Sequence, residues 1–278
     1  MDESASGSAN VFGPERGAGA APSDPLSSFH AVQGDYLRRG VAEFIGAFAL
    51  MFIGAGAIMV GSGGLVGVAL AHGLAIALMV TAFGHISGGH FNPAITLGFL
   101  VTRRIAPALA GIYWFMQFAG ACVAALLLWW IFPAQAIGPS RLGAPLLHPS
   151  IGSGAGFVLE AIMTMFLVLA VFATAVDERG AFKAVAGFGI GLVITIDILV
   201  GGPLTGAAMN PSRAFGPELV NRVWESYTWI YYAGPAVGAV FAALLYEFLY
   251  LRPWPRPTPV GPPGTGLEEP RPGDLASS

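Results

Sequence analysis

Two Asn-Pro pairs, Asn92-Pro93 and Asn210-Pro211, stand 118 positions apart in a strongly apolar chain. Asparagine is among the best residues for capping a helix N-terminus, and proline is favoured at the first helical position. Each pair therefore predicts the start of a new helix. A helix N-terminus carries roughly +0.5 elementary charge, and the asparagine amide donates hydrogen bonds. This chemistry suits a neutral hydrogen-bond acceptor such as water and disfavours a cation.

The composition is that of a membrane protein. Hydrophobic residues make up 55% of the chain and charged residues only 10%, whereas a soluble domain carries about 25% charged residues. A bilayer core needs about 20 apolar residues per helix. Six segments approach that length: 41–60, 66–86, 107–132, 154–176, 182–201 and 226–251. The stretches that open with Asn-Pro, 92–101 and 210–219, are about half as long and cannot span alone.

The chain repeats its pattern in two halves. Glu43 has a counterpart at Glu160, 117 positions on, which is close to the offset between Asn92 and Asn210. Each half holds three predicted spanning helices, so the second half enters the membrane inverted. We therefore expect the two short helices to enter from opposite faces and to meet with their N-termini near the membrane centre, where inverted repeats place a functional site.

The basic residues predict the orientation. With the N-terminus in the cytoplasm, eight of them flank helix ends on the cytoplasmic side: Arg38, Arg39, Arg103, Arg104, Arg179, Lys183, Arg252 and Arg256. Three then fall on the outer side: Arg141, Arg213 and Arg222. This distribution agrees with the positive-inside rule and predicts that both termini are cytoplasmic.

The segments that lead into the short helices predict a wet cavity. Non-helical backbone at membrane depth is tolerated only where protein buries it or where it lines such a cavity. Backbone carbonyls are expected to line it at five positions: Gly88, Gly89, His90, Ala208 and Met209. Donors fixed at the centre by Asn92 and Asn210 would interrupt the hydrogen-bonded water chain along which protons move.

Two motifs carry a resemblance to a known family. GHISGGHFNPAITLG at 84–98 and TGAAMNPSRAFGP at 205–217 closely resemble the two signatures of the aquaporin (major intrinsic protein) family. The resemblance covers residues 36–252 and implies an all-α membrane protein, with six transmembrane helices and two re-entrant half-helices in an inverted 3+3 repeat. It also implies a passive channel that assembles as a homotetramer. Ser212 departs from the family, which usually has alanine there.

The resemblance implies a selectivity filter of four residues. Arg213 matches the filter arginine of the family, and a charged residue at membrane depth by itself indicates a functional, water-lined position. His72 stands 20 residues before Asn92, and Ala207 three before Asn210. Val193 is assigned as the fourth member, with the 194–206 connection read as lengthened. This set resembles plant tonoplast intrinsic proteins and predicts a pore for water that also admits ammonia or other small neutral solutes.

The resemblance gives the buried acids a structural role. Glu43 and Glu160 are expected to accept backbone N–H bonds from the loops before the half-helices and so to anchor them. The alternative, a proton or coupling-ion site in a secondary transporter, stays open for these residues. Asp197 is also expected to anchor a loop. His148, in the external loop, is a candidate to lean over the pore mouth.

Other functions are less well supported by the residues. A glycerol or urea facilitator of the same fold is the nearest alternative, but Ala214 stands where glycerol channels usually carry aspartate, and Tyr231-Tyr232 resembles the aromatic pair of water channels. His85 and His90 lack a third candidate metal ligand. No serine–histidine or paired-aspartate constellation indicates an enzyme, so we expect no catalytic residues and no cofactor.

The remaining predictions concern boundaries and partners. Residues 1–35 and 253–278 are predicted to be disordered tails around a channel domain at 36–252. Its repeats, 36–132 and 153–252, are joined by an external loop at 133–152. The expected partners are water, small neutral solutes and the lipid of the cell membrane. With a net charge of −3, nucleic acid is not expected to bind.

Overall fold

The computed structural model describes residues 25–134, 138–179 and 185–252. These residues form eight α-helices and no strand. The helices are α1 (Pro25–Val60), α2 (Gly64–Ser87), α3 (Pro93–Val101), α4 (Pro107–Ile131), α5 (Ser153–Val171), α6 (Ala186–Thr205), α7 (Pro211–Asn221) and α8 (Ile230–Tyr246). A π-helical turn extends α5 to Val176, and another extends α8 to Leu251. Six of these helices, all but α3 and α7, are long and apolar enough to cross a membrane.

The predicted segments match the helices with three corrections. Helix α1 begins at Pro25, inside the segment 1–35 that is predicted to be a tail, and residues 1–24 and 253–278 lie outside the described part of the chain. Helix α6 runs to Thr205 instead of ending at 201, because the segment predicted to be a connection continues the helix. Helix α8 starts at Ile230 rather than 226, after turns at 226–229. Lys183 also lies outside the described residues.

The packing of the helices repeats between the halves. Helix α1 packs along α4 as α5 packs along α8, and α1 packs on α2 as α5 packs on α6. Each half-helix is held by the other repeat: α3 packs on α8, and α7 packs on α4. Exchanging the two halves leaves this pattern unchanged, as the predicted inverted repeat requires. The most extensive contact between two helices, that of α2 with α6, joins one repeat to the other.

Two glycines allow α2 and α6 to cross closely. A Cβ added to Gly73 would lie 2.4 Å from the carbonyl oxygen of Gly191, and one added to Gly191 would lie 2.3 Å from that of Gly73. Small residues at such crossings let helix backbones approach in a membrane. Gly73 and Gly191 are 118 positions apart, like the asparagines. Each repeat therefore contributes the equivalent glycine to this crossing.

Candidate functional site

Asn92 and Asn210 cap the two half-helices and tie them to each other. The Oδ1 of Asn92 accepts the Ala94 N–H at 2.8 Å, and the Oδ1 of Asn210 accepts the Ser212 N–H at 3.0 Å. The Asn92 amide also donates to the Met209 carbonyl at 2.9 Å, and the Asn210 amide donates to the Phe91 carbonyl at 3.0 Å. An amide has two N–H donors, so each asparagine keeps one for the cavity that it lines.

Glu43 holds the loop before α3. It is fully buried, and its carboxylate accepts hydrogen bonds from the backbone N–H of His90 at 3.0 Å and of Phe91 at 2.6 Å. The Ser87 hydroxyl donates to it at 2.6 Å, and the Gln117 amide donates at 2.8 Å. Four donors satisfy the hydrogen-bonding capacity of this buried carboxylate, and two of them are backbone N–H groups of the loop. Glu43 therefore fixes the conformation of the loop before α3.

Glu160 repeats this arrangement in the second half. It is also fully buried, and it accepts the backbone N–H of Ala208 at 2.9 Å and of Met209 at 2.8 Å. The Thr205 hydroxyl donates to it at 2.6 Å and accepts the Ala207 N–H at 3.1 Å. Thr205 therefore repeats the role of Ser87, which accepts a loop N–H in the same way.

The loops hold their backbone in an unusual conformation. Gly88, Gly89 and Phe91 have positive φ in the first loop, and Gly206, Ala207 and Met209 have positive φ at the matching positions of the second. A left-handed conformation costs a non-glycine residue about 1–2 kcal/mol. The carboxylates compensate for this cost because they bind the backbone N–H groups between and beside the strained residues.

A narrow cavity runs past the asparagines. Its volume of about 20 Å³ has room for about one water at a time, since a water needs about 10–15 Å³. The loops contribute Gly89, His90, Ala207, Ala208 and Met209 to its wall, and apolar side chains face them: Leu50, Ile76, Ile95, Leu167, Ile190, Ile194 and Ile198. Polar groups on one wall and apolar groups on the other would guide a single file of small polar molecules.

Wider cavities lie at both ends of the narrow one. The first, of about 240 Å³, shares His72, Ile198 and Arg213 with the central cavity. The second, of about 350 Å³, is lined by Gly88, by the C-terminal part of α2 and by the N-terminal end of α6. Along α2 the chain passes first the cavity of about 240 Å³, then the narrow one and then the cavity of about 350 Å³, and along α6 it passes them in the reverse order. The three cavities are therefore stacked along one axis.

The structure brings together three of the four predicted filter residues. His72, Ala207 and Arg213 all line the central cavity, and His72 and Arg213 also line the wider one beside it. Val193 lines neither of these two cavities, whereas Ile198 lines both. Because α6 is helical through 194–205, its pore face follows the helical spacing of Ile190, Ile194 and Ile198. The sequence shows this spacing but does not tell which face of the apolar helix α6 meets the pathway.

Arg213 lies at the junction of the central and wider cavities. Its side chain is 3% exposed, and its Nε and Nη1 have no hydrogen-bond partner among the described residues. Buried donors of this kind are satisfied by water or by a ligand. The ring of His72 is oriented by its Nδ1, which lies 2.9 Å from the Val68 carbonyl. The two residues thus offer fixed polar groups to molecules that pass.

Other candidate residues lie away from the narrow cavity. His148 lines a surface cleft with Arg141 and Glu225, and this cleft shares Leu146 with the cavity of about 240 Å³. Asp197 is buried, and its Oδ2 has no partner among the described residues, so its predicted loop contact is not formed by that atom. His85 lines the cavity of about 350 Å³.

Six membrane-spanning helices around stacked cavities, with hydrogen-bond donors at the narrowest one, define a membrane channel for small polar molecules. The chain belongs to the major intrinsic protein family, whose model matches residues 30–246. It is 39% identical over 244 residues to "Probable aquaporin TIP-type alpha" of Phaseolus vulgaris, covering 84% of this chain and 90% of that protein. It is 41% identical over 228 residues to "Aquaporin TIP4-4" of Zea mays, covering 77% and 87%.

A solved structure shares the fold. The aquaglyceroporin from Plasmodium falciparum aligns with a TM-score of 0.70 and 28% identity, covering 77% of this chain and 96% of that one. The relatives confirm the expected fold class and identify the protein as a water channel of this family. The aquaglyceroporin likeness is compatible with a glycerol facilitator but does not favour it over a water channel.

Proposed function

We propose that the protein is a passive channel for water and ammonia, with His72, Ile198, Ala207 and Arg213 as its selectivity filter. The observation that carries the proposal is that Nε and Nη1 of Arg213, which have no hydrogen-bond partner among the described residues, are buried where the narrow cavity meets the wider one. Water and ammonia both accept hydrogen bonds from such a donor. The small Ala207 and the apolar Ile198 leave room and suit a solute that is less strongly hydrated than water.

The asparagines exclude ions and protons in this proposal. Two helix N-termini and the amides of Asn92 and Asn210 direct positive potential and N–H donors at one point of the cavity. A cation is repelled there. A water that accepts from both amides has its oxygen fixed toward them, so it cannot accept a proton from its neighbour in the file.

Glycerol is the less favoured cargo. The cavity beside the asparagines has a volume of about 20 Å³, which leaves room for about one water at a time. Ala214 is fully buried and supplies no carboxylate beside Arg213. An ion-coupled transporter is also disfavoured, since Glu43 and Glu160 are occupied by loop donors. Transport in this proposal involves no chemical conversion.

The proposal also covers the membrane location, the orientation and the oligomeric state of the protein. We place the chain in the cell membrane with both termini cytoplasmic, on the strength of the positive-inside distribution. A homotetramer with one pore in each subunit is typical of the family. Exposed apolar side chains on α2, α5 and α6 are available for lipid or for neighbouring subunits. Labelling of single cysteines placed near each terminus, from either side of oriented vesicles, would test the orientation.

Stopped-flow measurements on proteoliposomes test the proposed cargo. Water flux is followed by osmotic shrinkage, and ammonia flux by the change in internal pH after an inward ammonia gradient. We expect both fluxes to exceed those of empty vesicles, with little urea or glycerol flux. The His72→Phe variant should retain water flux and lose most ammonia flux. Water flux without ammonia flux in the wild type would remove ammonia from the proposal.

A further inference from the structure

The two half-helices differ at their second residue. This residue is Ala94 in α3 and Ser212 in α7, and the two positions are 118 apart, like the asparagines that precede them. Both side chains are buried at 1% exposure. A buried hydroxyl needs a hydrogen-bond partner, so the partner of Ser212 shows what the second repeat gains over the first.

The partner of the Ser212 hydroxyl is the side chain of Asn210. Its Oγ lies 2.8 Å from the Oδ1 of Asn210, and the hydroxyl is the donor because an amide oxygen carries no hydrogen. The same Oδ1 accepts the backbone N–H of Ser212 at 3.0 Å and of Arg213 at 3.3 Å. It therefore receives three hydrogen bonds, whereas the Oδ1 of Asn92 receives one from the described residues, at 2.8 Å from Ala94.

This difference changes the strength of the two amides as donors. A hydrogen bond accepted by the oxygen of an amide withdraws electron density from its nitrogen, and connected hydrogen bonds strengthen one another by about 10–30% per bond. Asn92 and Asn210 otherwise have matching contacts, since each donates one N–H to a carbonyl of the opposite loop. The Ser212 hydroxyl is thus a side-chain contact of Asn210 that Asn92 lacks.

We propose that Ser212 is a positioning residue that makes Asn210 the stronger of the two central donors. The inference rests on the proposed function in that it takes Asn210 to donate to the permeating molecule. Conduction requires that a molecule bind well enough to enter a site and weakly enough to leave it. A molecule that accepts from Asn210 is held longer than one that accepts from Asn92, so departure from Asn210 limits the movement of the single file.

NMR of the asparagine side chains tests the difference in donor strength. Selective ¹⁵N labelling of asparagine gives a sparse spectrum in proteoliposomes, because the chain has four asparagines: Asn10, Asn92, Asn210 and Asn221. Ser212→Ala should shift the side-chain amide protons of Asn210 upfield, towards those of Asn92, since their hydrogen bonds become weaker. Ala94→Ser is the reciprocal variant and should shift the Asn92 protons downfield.

Thr164→Val is the matched control for the loss of a buried hydroxyl. Thr164 is fully buried, and its hydroxyl donates to the backbone carbonyl of Glu160 at 2.8 Å instead of to an asparagine. This variant should leave the Asn210 protons in place. Unshifted Asn210 protons in Ser212→Ala, or an equal shift in Thr164→Val, would overturn the proposal.

Osmotic shrinkage of proteoliposomes tests the consequence for permeation. Ser212→Ala should raise the water permeability per protein about twofold, because the central molecule is held less strongly. A shift of the Asn210 protons with unchanged or lower water permeability would overturn the claim that Asn210 limits the file. The NMR result is independent of the cargo, since absence of ammonia flux in the wild type would contradict the proposed function and leave the shift unaffected.

Discussion

Gly54 of α1 packs directly against the ring of His72 of α2. A Cβ added to Gly54 would lie 2.4 Å from both Cδ2 and Nε2 of that ring, which is closer than any real Cβ contact. The Nδ1 of the ring lies 2.9 Å from the Val68 carbonyl, and the ring lines the narrow cavity. The glycine thus sets how far the imidazole stands from the pathway.

Gly54→Ala is expected to lower water permeability several-fold, since the added methyl group displaces the His72 ring from its site. Gly56→Ala is the matched control on the same helix, because its Cβ would meet Leu128 at an ordinary 3.5 Å. Osmotic shrinkage of proteoliposomes, normalised to the amount of protein, measures the effect. Equal water permeability of the two variants would show that the contact with Gly54 does not determine the position of the His72 ring in the pathway.

Cysteine substitutions distinguish Ile198 from Val193 as the pore-lining residue of α6. In a Cys122→Ser background, Ile198→Cys should make water flux sensitive to mercuric ion, because the thiol faces both cavities that Ile198 lines. Val193→Cys should remain insensitive, since Val193 lines neither cavity. Inhibition of the Val193 variant alone would restore the assignment made from the sequence.

The crossing of α2 and α6 should be intolerant of a single methyl group. Gly191→Ala places a Cβ 2.3 Å from the Gly73 carbonyl, so we expect a loss of about 1–3 kcal/mol of stability. Gly189→Ala, whose Cβ would stand 3.7 Å from Thr174, should be neutral or gain up to about 1 kcal/mol from helix propensity. Thermal unfolding in detergent, followed by circular dichroism, compares the two variants.

A pH-dependent contribution is expected at the end of α5. Hydrogen bonds from the Arg179 side chain and backbone hold the pKa of Asp177 well below its ordinary value of 3.8. A carboxyl whose folded pKa is lowered stabilises the protein above its unfolded pKa, and this contribution is lost as pH falls through the folded value. The wild type should therefore exceed Asp177→Asn in melting temperature by a constant amount between about pH 5 and 8, and the difference should shrink below about pH 4.

The matched control for this comparison is Glu178→Gln, which removes a neighbouring exposed acid that forms no part of the Asp177–Arg179 pair. Its melting temperature should stay close to the wild-type value across the same range. A difference between the wild type and Asp177→Asn that grows as pH falls below about 4 would have the wrong sign for a lowered pKa and would contradict the assignment.

Several features of the protein were determined by the sequence because they are local. An apolar run of membrane length, an Asn-Pro cap and an offset near 118 residues do not depend on distant contacts, and together they predict six spans, two half-helices and an inverted repeat. The same offset relates Glu43 to Glu160 and Asn92 to Asn210, so the sequence predicts that the members of each pair occupy equivalent places in the two repeats. The fold is confirmed by the family match.

Only the tertiary structure decided which side of each helix faces the pathway. A membrane helix is apolar toward lipid as well as toward its neighbours, so the pattern of α6 does not distinguish Val193 from Ile198. The crossed bonds from Asn92 to Met209 and from Asn210 to Phe91 likewise depend on how the repeats pack. Hydropathy predicts which segments enter the membrane, while side-chain packing selects the few residues that meet the permeating molecule.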